Sequence, residues 1–284
     1  MFECVINISE GQRPQVVAAI ASAAGPLLLD AQADPHHHRA VLTLGGPLDA
    51  LEQAARRVAA AGIARLELAA HAGVHPRIGV VDVVPFVDLR RPREVTAAAM
   101  AARDRFAAWA GTELGLPCFC YGADRRSLPD IRRGAWSTLS PDAGPPRPHP
   151  SAGGCAVGAR AVLVAYNLWL ADNDLALAKT IAAELRSPTV RALGLQTGAR
   201  AQVSCNLLDP WTAGPAEIYD AVAARAVVAR AELVGLLPAG VLAAIPALRW
   251  RALDLDSARM IESRLEEAGF DPRDAERIVE RSDR

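Results

Sequence analysis

The chain is almost without lysine: Lys179 is the only one among 31 lysine and arginine residues. An arginine-biased and alanine-biased composition accounts for the skew, and it still has chemical consequences. A Schiff-base mechanism has a single candidate residue. Any carboxylate ligand must be held mainly by arginine forks, backbone N–H groups or hydroxyls. Net charge is also nearly absent, at −1, which removes the electrostatic footprint expected of a nucleic-acid binder or an anionic-membrane binder. The five cysteines are an odd number without CxxC spacing. Cys118 and Cys120 alternate with Phe119 in an apolar run, so buried free thiols in a reducing compartment are expected. No basic stretch followed by an apolar one opens the sequence, and no run approaches the length of a membrane span, so the chain reads as cytoplasmic. A Walker loop, a GxGxxG fingerprint, a GxSxG elbow and an HExxH helix are all missing, which sets aside the commonest nucleotide-binding, hydrolase and zinc-protease designs.

What is present suits a core-forming α/β protein. The chain has 284 residues, 51% of them hydrophobic, enough for one large domain or two ordinary ones. Strands are expected at Phe2 to Ile8, Arg39 to Leu44, Leu66 to Ala70, Ile78 to Val87 and Pro117 to Tyr121. Helices are expected from Pro14 to Ala24, Leu48 to Ala61, Arg93 to Leu114 and over SLPDIRRGAW. The proline- and glycine-rich stretch at 142–154 reads as loop, with Gly153-Gly154 as a turn. The pattern then restarts with a strand at Ala161 to Leu170 and a helix at Asp174 to Leu185. Strands follow at Val190 to Gln196 and Ala201 to Leu208, then a helix at Ile218 to Glu232, a strand at Leu233 to Leu237 and a helix at Ser257 to Ala268. The charged tail, Asp271 to Arg284, reads as a surface helix or a frayed end. This rhythm gives an α/β (α+β) class with mixed sheets and helices on one face, in two units of ferredoxin-like cadence.

The chemistry concentrates in HAGVHPRIGVVDVVPF, residues 71–86. Pro76 pushes His75 towards extended backbone, so its imidazole stands on a short loop in front of an apolar strand. Histidine there can take and return a proton near neutral pH; a loop histidine bonded only to backbone fits the same residues. His71 and His75 have the i, i+4 spacing of helical metal ligands, but Gly73 and Pro76 argue against helix. The run His36-His37-His38 has no acidic or cysteine partner at ligand spacing, and a solvated loop is its simpler reading.

HPRIGVVDVVPF closely resembles the stretch HPR(I/M)Gx(V/L)DVxPF of the formiminotransferase domain family. ECVINISEG at 3–11 and LLLDAQADPHHHRAVLTL at 27–44 are similar to that family's ECVPNxSEG opening and LLDxDxDxxxNRTVxT segment. RRSLPDIRRGAW, DAGPPRPHPSAGG, VGARAVLVAYNLWL, RAQVSCNLLD and ELVGLLP also have counterparts, in the same order. The resemblance implies an N-terminal subdomain over 1–160 and a C-terminal subdomain over 161–284, with a ligand cleft between them. It implies a homodimer and a metal-free reaction moving a formimino or formyl one-carbon unit between N-formimino-L-glutamate and N5 of tetrahydrofolate, the co-substrate. On that reading His75 is the general base. Asn7, Gln32, Arg39, Arg77 and Arg160 are substrate- or folate-binding candidates, Arg160 near the subdomain junction.

Three positions depart from the family pattern: Gln32 stands where an acidic residue is usual, Val74 where glutamate is frequent, and Ala161 where lysine or another polar residue is frequent. His38 replaces the usual asparagine before Arg39. Glutamine can hydrogen-bond but holds no charge. A non-catalytic or diverged folate- or metabolite-binding paralogue is therefore the alternative to an active transferase. A metal-dependent hydrolase built on the histidines is a weaker third.

Overall fold

The computed structural model describes residues 1–272, and the expected helix or frayed end over the charged tail falls mostly outside them. The chain divides into two units, one comprising Met1–Ala161 with residues 268–272, the other Val162–Glu267. The first begins β1 (Phe2–Ile8), α1 (Pro14–Ala21), β2 (Leu28–Asp34), β3 (Arg39–Gly46), α2 (Leu48–Ile63), β4 (Val81–Asp88). It continues with α3 (Ala97–Glu113), β5 (Cys118–Tyr121), α4 (Leu128–Gly134) and β6 (Cys155–Ala159). Its sheet runs β2-β3-β1-β4-β6-β5. The first four strands pair antiparallel, while β4, β6 and β5 are parallel. The βαββαβ order with strands arranged 2-3-1-4 is the ferredoxin-like topology.

The helices start where the sequence offers caps. Pro14 occupies the first turn of α1, Thr96 accepts from the Ala99 N–H at α3, and Ser127 and Asp130 form a reciprocal capping box at α4. Alternation along β1 sends Phe2, Cys4, Ile6 and Ile8 into the main core with Leu42, Leu44, Val58 and Phe106, leaving Glu3, Val5 and Asn7 on the opposite face. The long helices α2 and α3 lie over that core face. On the other face, α4 brings Ile131 against Val83, Phe119, Tyr121 and Ala156.

The second unit repeats the rhythm: β7 (Val164–Leu170), α5 (Leu175–Leu185), β8 (Val190–Thr197), β9 (Arg200–Leu207), α6 (Pro215–Ala223) and β10 (Val228–Val234), in the order β10-β7-β9-β8. Three short helices follow, α7 (Ala239–Ala243), α8 (Ala247–Trp250) and α9 (Ile261–Glu267). Tyr166, Leu168, Val203, Cys205 and Leu233 build its core. Among the described residues no helix is long and apolar enough to cross a membrane.

Four local expectations change. Leu66 to Ala70 is not a strand but ends in a 3-10 turn at Leu68–Ala70, where the Leu68 N–H bonds to the Ser151 carbonyl instead of a strand neighbour. The helix expected over Ile218 to Glu232 stops at Ala223, and β10 takes Val228–Val234 by pairing with β7. The run Ile78 to Val87 becomes strand only from Val81. Cys155–Ala159, where no element was expected, is the buried strand between β4 and β5.

Candidate active site

The site forms on the face of the first sheet that turns away from α2 and α3. Asn7 and Gln32 both lie opposite Val41 in register, so the three share that face, with Gln32 two strands and roughly 10 Å from Asn7. Beside Asn7 the pairing of β1 with β4 slips: Asn7 opposes Val83, but Ile8 opposes Val81. Asp82 is the extra residue of this bulge, a device that re-aims a side chain. It turns a carboxylate away from the apolar core, although the residue sits in a continuous β-branched run and is only 1% exposed.

Asp82 is the anchor. Arg132 of α4 grips both its oxygens, Nη1 lying 2.6 Å from Oδ1 and Nη2 closing on Oδ2, and the Ile78 N–H donates to Oδ1 at 2.8 Å. Burial pushes the Asp82 carboxyl up, but Arg132 and Arg39 more than offset it and hold it below the ordinary aspartate range. Arg39 donates from Nε and Nη2 to Asn7 Oδ1 at 2.8 and 2.6 Å. Its Nη1 lies 2.8 Å from His75 Nδ1 and 3.3 Å from Asp82 Oδ2. Burial brings the Arg39 guanidinium down to about 10, still fully charged at neutral pH. His75 is held well below the usual histidine value, first by burial and then by the Arg39 charge, and is a neutral imidazole at pH 7.

The loop carrying His75 is packed against the histidine run. Arg77 donates to His71 Nδ1 and to the carbonyls of Gly73 (3.0 Å) and His75. His71 Nε2 reaches the His38 carbonyl at 2.7 Å, and the two rings stack with centroids 4.0 Å apart. His38 joins Glu10 Oε1 (3.2 Å) to the Ala72 carbonyl (3.1 Å). Glu10, 1% exposed, also accepts the Gln12 and Arg13 N–H groups at 2.8 and 2.9 Å. His38 has φ 50°, a left-handed conformation that asparagine and histidine tolerate better than most residues. Gly73 must be glycine for space: a Cβ there would lie 2.6 Å from the His37 carbonyl and 2.8 Å from His38 Cβ. Among the described residues no three of His, Cys, Asp and Glu converge as metal ligands.

The structure thus brings Asn7, Arg39 and His75 into direct contact, places Arg77 behind the His75 loop, and sets Gln32 on the same sheet face. Arg160 stands elsewhere. Its N–H bonds to Phe86 at 3.2 Å and its guanidinium to the Ala161 carbonyl at 2.9 Å. Phe86 is four residues, about 13 Å of strand, from Asp82. Sequence reasoning missed Asp82, Arg132 and Glu10. A carboxylate inside GVVDVVPF was a legible signal, since a buried charge must be paired.

The chain as a whole resembles known proteins. The N-terminal subdomain of the formiminotransferase domain matches residues 1–160. The glutamate formimidoyltransferase of Thermoplasma acidophilum is 31% identical over 300 residues, covering 94% of this chain and 98% of its own length. That of Streptococcus pyogenes serotype M1 is 31% identical, covering 74% of this chain and 78% of its own. The formimidoyltransferase-cyclodeaminase of Sus scrofa is 33% identical, covering 84% of this chain, which spans 50% of that relative's length. With matching residues running through both units, the chain belongs to the formiminotransferase domain family.

Proposed function

We propose that the chain transfers a formimino unit from N-formimino-L-glutamate to N5 of tetrahydrofolate, with His75 moving the proton. The carrying observation is the His75–Arg39–Asp82–Arg132 chain: a neutral imidazole, mounted on a loop and met by a guanidinium that pairs with a buried carboxylate. In the reaction a bond forms between N5 and the amidine carbon, and the bond from that carbon to the glutamate nitrogen breaks. One proton leaves N5 and one arrives on the departing nitrogen. A single imidazole can relay it. The arginines at 39 and 77 supply the bidentate donors that the glutamate and folate carboxylates need, and Arg160 and Gln32 are proposed as further ligand contacts. The relatives' names support the reaction class. Five buried free thiols support a cytoplasmic, reducing setting, in which this transfer serves histidine degradation. We assign the two subdomains to 1–160 and 161–284, and the assembly to a homodimer, on family likeness.

Gln32 favours a second reading, a folate- or metabolite-binding relative without the transfer chemistry, because no carboxylate stands at this place on the site face. Calorimetric titration with 5-formyltetrahydrofolate followed by a transfer assay separates the two. Binding with turnover supports the transferase. Binding without turnover supports the second reading, and absence of both refutes each.

A further inference from the structure

His75 Nδ1 faces two groups that make opposite demands. Arg39 Nη1, at 2.8 Å, carries only protons, so that contact requires the Nδ1 lone pair. The Pro76 carbonyl, at 2.9 Å, can only accept, so that contact requires a proton on Nδ1. A neutral imidazole has one proton and satisfies one contact at a time. With Arg39 donating, the ring proton sits on Nε2 and His75 is a donor there. With Nδ1–H given to Pro76, the lone pair is on Nε2 and His75 is a base there.

Arg39 is placed to choose between these states. Its Nε and Nη2 are tied to Asn7 Oδ1, while Nη1 lies between His75 at 2.8 Å and Asp82 at 3.3 Å. Asp82 cannot follow the guanidinium, because Arg132 and the Ile78 N–H hold both its oxygens. Nη1 carries two protons and already meets both groups, so a movement of a few tenths of an ångström towards Asp82 shortens the carboxylate contact and releases His75 Nδ1. We propose that Arg39 is the positioning residue that sets the tautomer of His75: the free protein holds the Nε2–H form, and the base forms when Arg39 Nη1 passes to Asp82 and Nδ1–H to the Pro76 carbonyl. No net proton is gained or lost, since the partly exposed ring exchanges its single proton with water. The proposal rests on His75 acting at Nε2 as the proton carrier in the transfer. It also names the ligand chemistry that throws the switch. An amidinium presents only N–H groups, and beside Nε2 it selects the lone-pair form, so the formimino donor itself would call up the base.

The test is nitrogen NMR of the whole protein with ¹⁵N-labelled histidine, in which pyrrole-type and pyridine-type ring nitrogens are distinct. His75 is assigned by its loss in His75→Gln. In the free wild type, pyridine-type Nδ1 and pyrrole-type Nε2 are expected. Saturating N-formimino-L-glutamate should exchange the two, and Arg39→Lys should move the free protein towards Nδ1–H. Nδ1–H already in the free wild type overturns the proposal, a result that needs no variant to fold. So does a tautomer indifferent to both the amidine and Arg39→Lys. A pyridine-type Nδ1 that responds to the amidine, in a protein without turnover, leaves Arg39's control of the tautomer standing and refutes the transferase reading instead.

Discussion

At the scale of single residues, the buried Asp82 carboxylate joins Arg132 to the Arg39 that meets His75. His75 was legible because HPR sits on a loop before a β-branched run. Arg132, the partner of Asp82, was not, because 50 positions separate the two and nothing local says which arginine of DIRRG turns inward. The bulge that aims Asp82 was equally hidden, since register is a property of two strands and not of one. Asp82→Asn would leave two guanidiniums, each about 15% exposed, without their counter-charge. We expect a loss of about 3–5 kcal/mol, the scale for removing one partner of a buried pair, read by urea denaturation at pH 7. The pH dependence has a definite sign. The folded Asp82 carboxyl lies below its ordinary value, so its contribution is complete above about pH 4, the unfolded value. It disappears as pH falls through the lower folded value, and the gap between wild type and variant should close there. A gap that stays constant as pH falls from about 4 would assign the loss to packing.

At the scale of elements, propensity was readable where a segment was long or capped and failed where tertiary pairing decided. The helices α2, α3 and α5 and the strands β1 and β3 formed where they were expected. The strand β6 did not, because CAVGA is short and small-residue, and its strand character comes from lying between β4 and β5. The alanine-rich run after Ala223 suits a helix by composition, yet pairing with β7 draws Val228–Val234 into the sheet. Gly79 shows how closely the segments behind the site approach. A Cβ there would lie 1.9 Å from the Gly154 carbonyl oxygen and 2.6 Å from that of Ala152, both backbone atoms. Gly79→Ala must therefore displace the segment that supplies Ile78 N–H to Asp82. A destabilisation of about 1–3 kcal/mol with weakened folate binding is the expected outcome, measured by denaturation and calorimetry. Unchanged stability and binding would show that the segment gives way without disturbing the site.

At the scale of the whole molecule, two βαββαβ units account for the class that the sequence pattern suggested, and β6, which joins the expected strand β5 to β4 in parallel, is the feature it did not contain. All five cysteines are buried free thiols, and burial pushes each of them above the ordinary thiol value. A thiol reagent should therefore modify the native protein slowly and titrate five groups in denaturant; rapid reaction of any one in the native state would show that it is open to solvent. The central claim is that this fold carries proton-coupled formimino transfer at His75. The most direct measurement is glutamate release from N-formimino-L-glutamate, with and without tetrahydrofolate, by the wild type and by His75→Ala. The account predicts tetrahydrofolate-dependent release that falls by about a hundredfold or more in the variant, with binding of 5-formyltetrahydrofolate little changed. Release at the same rate in both proteins, or none from the wild type, would contradict it.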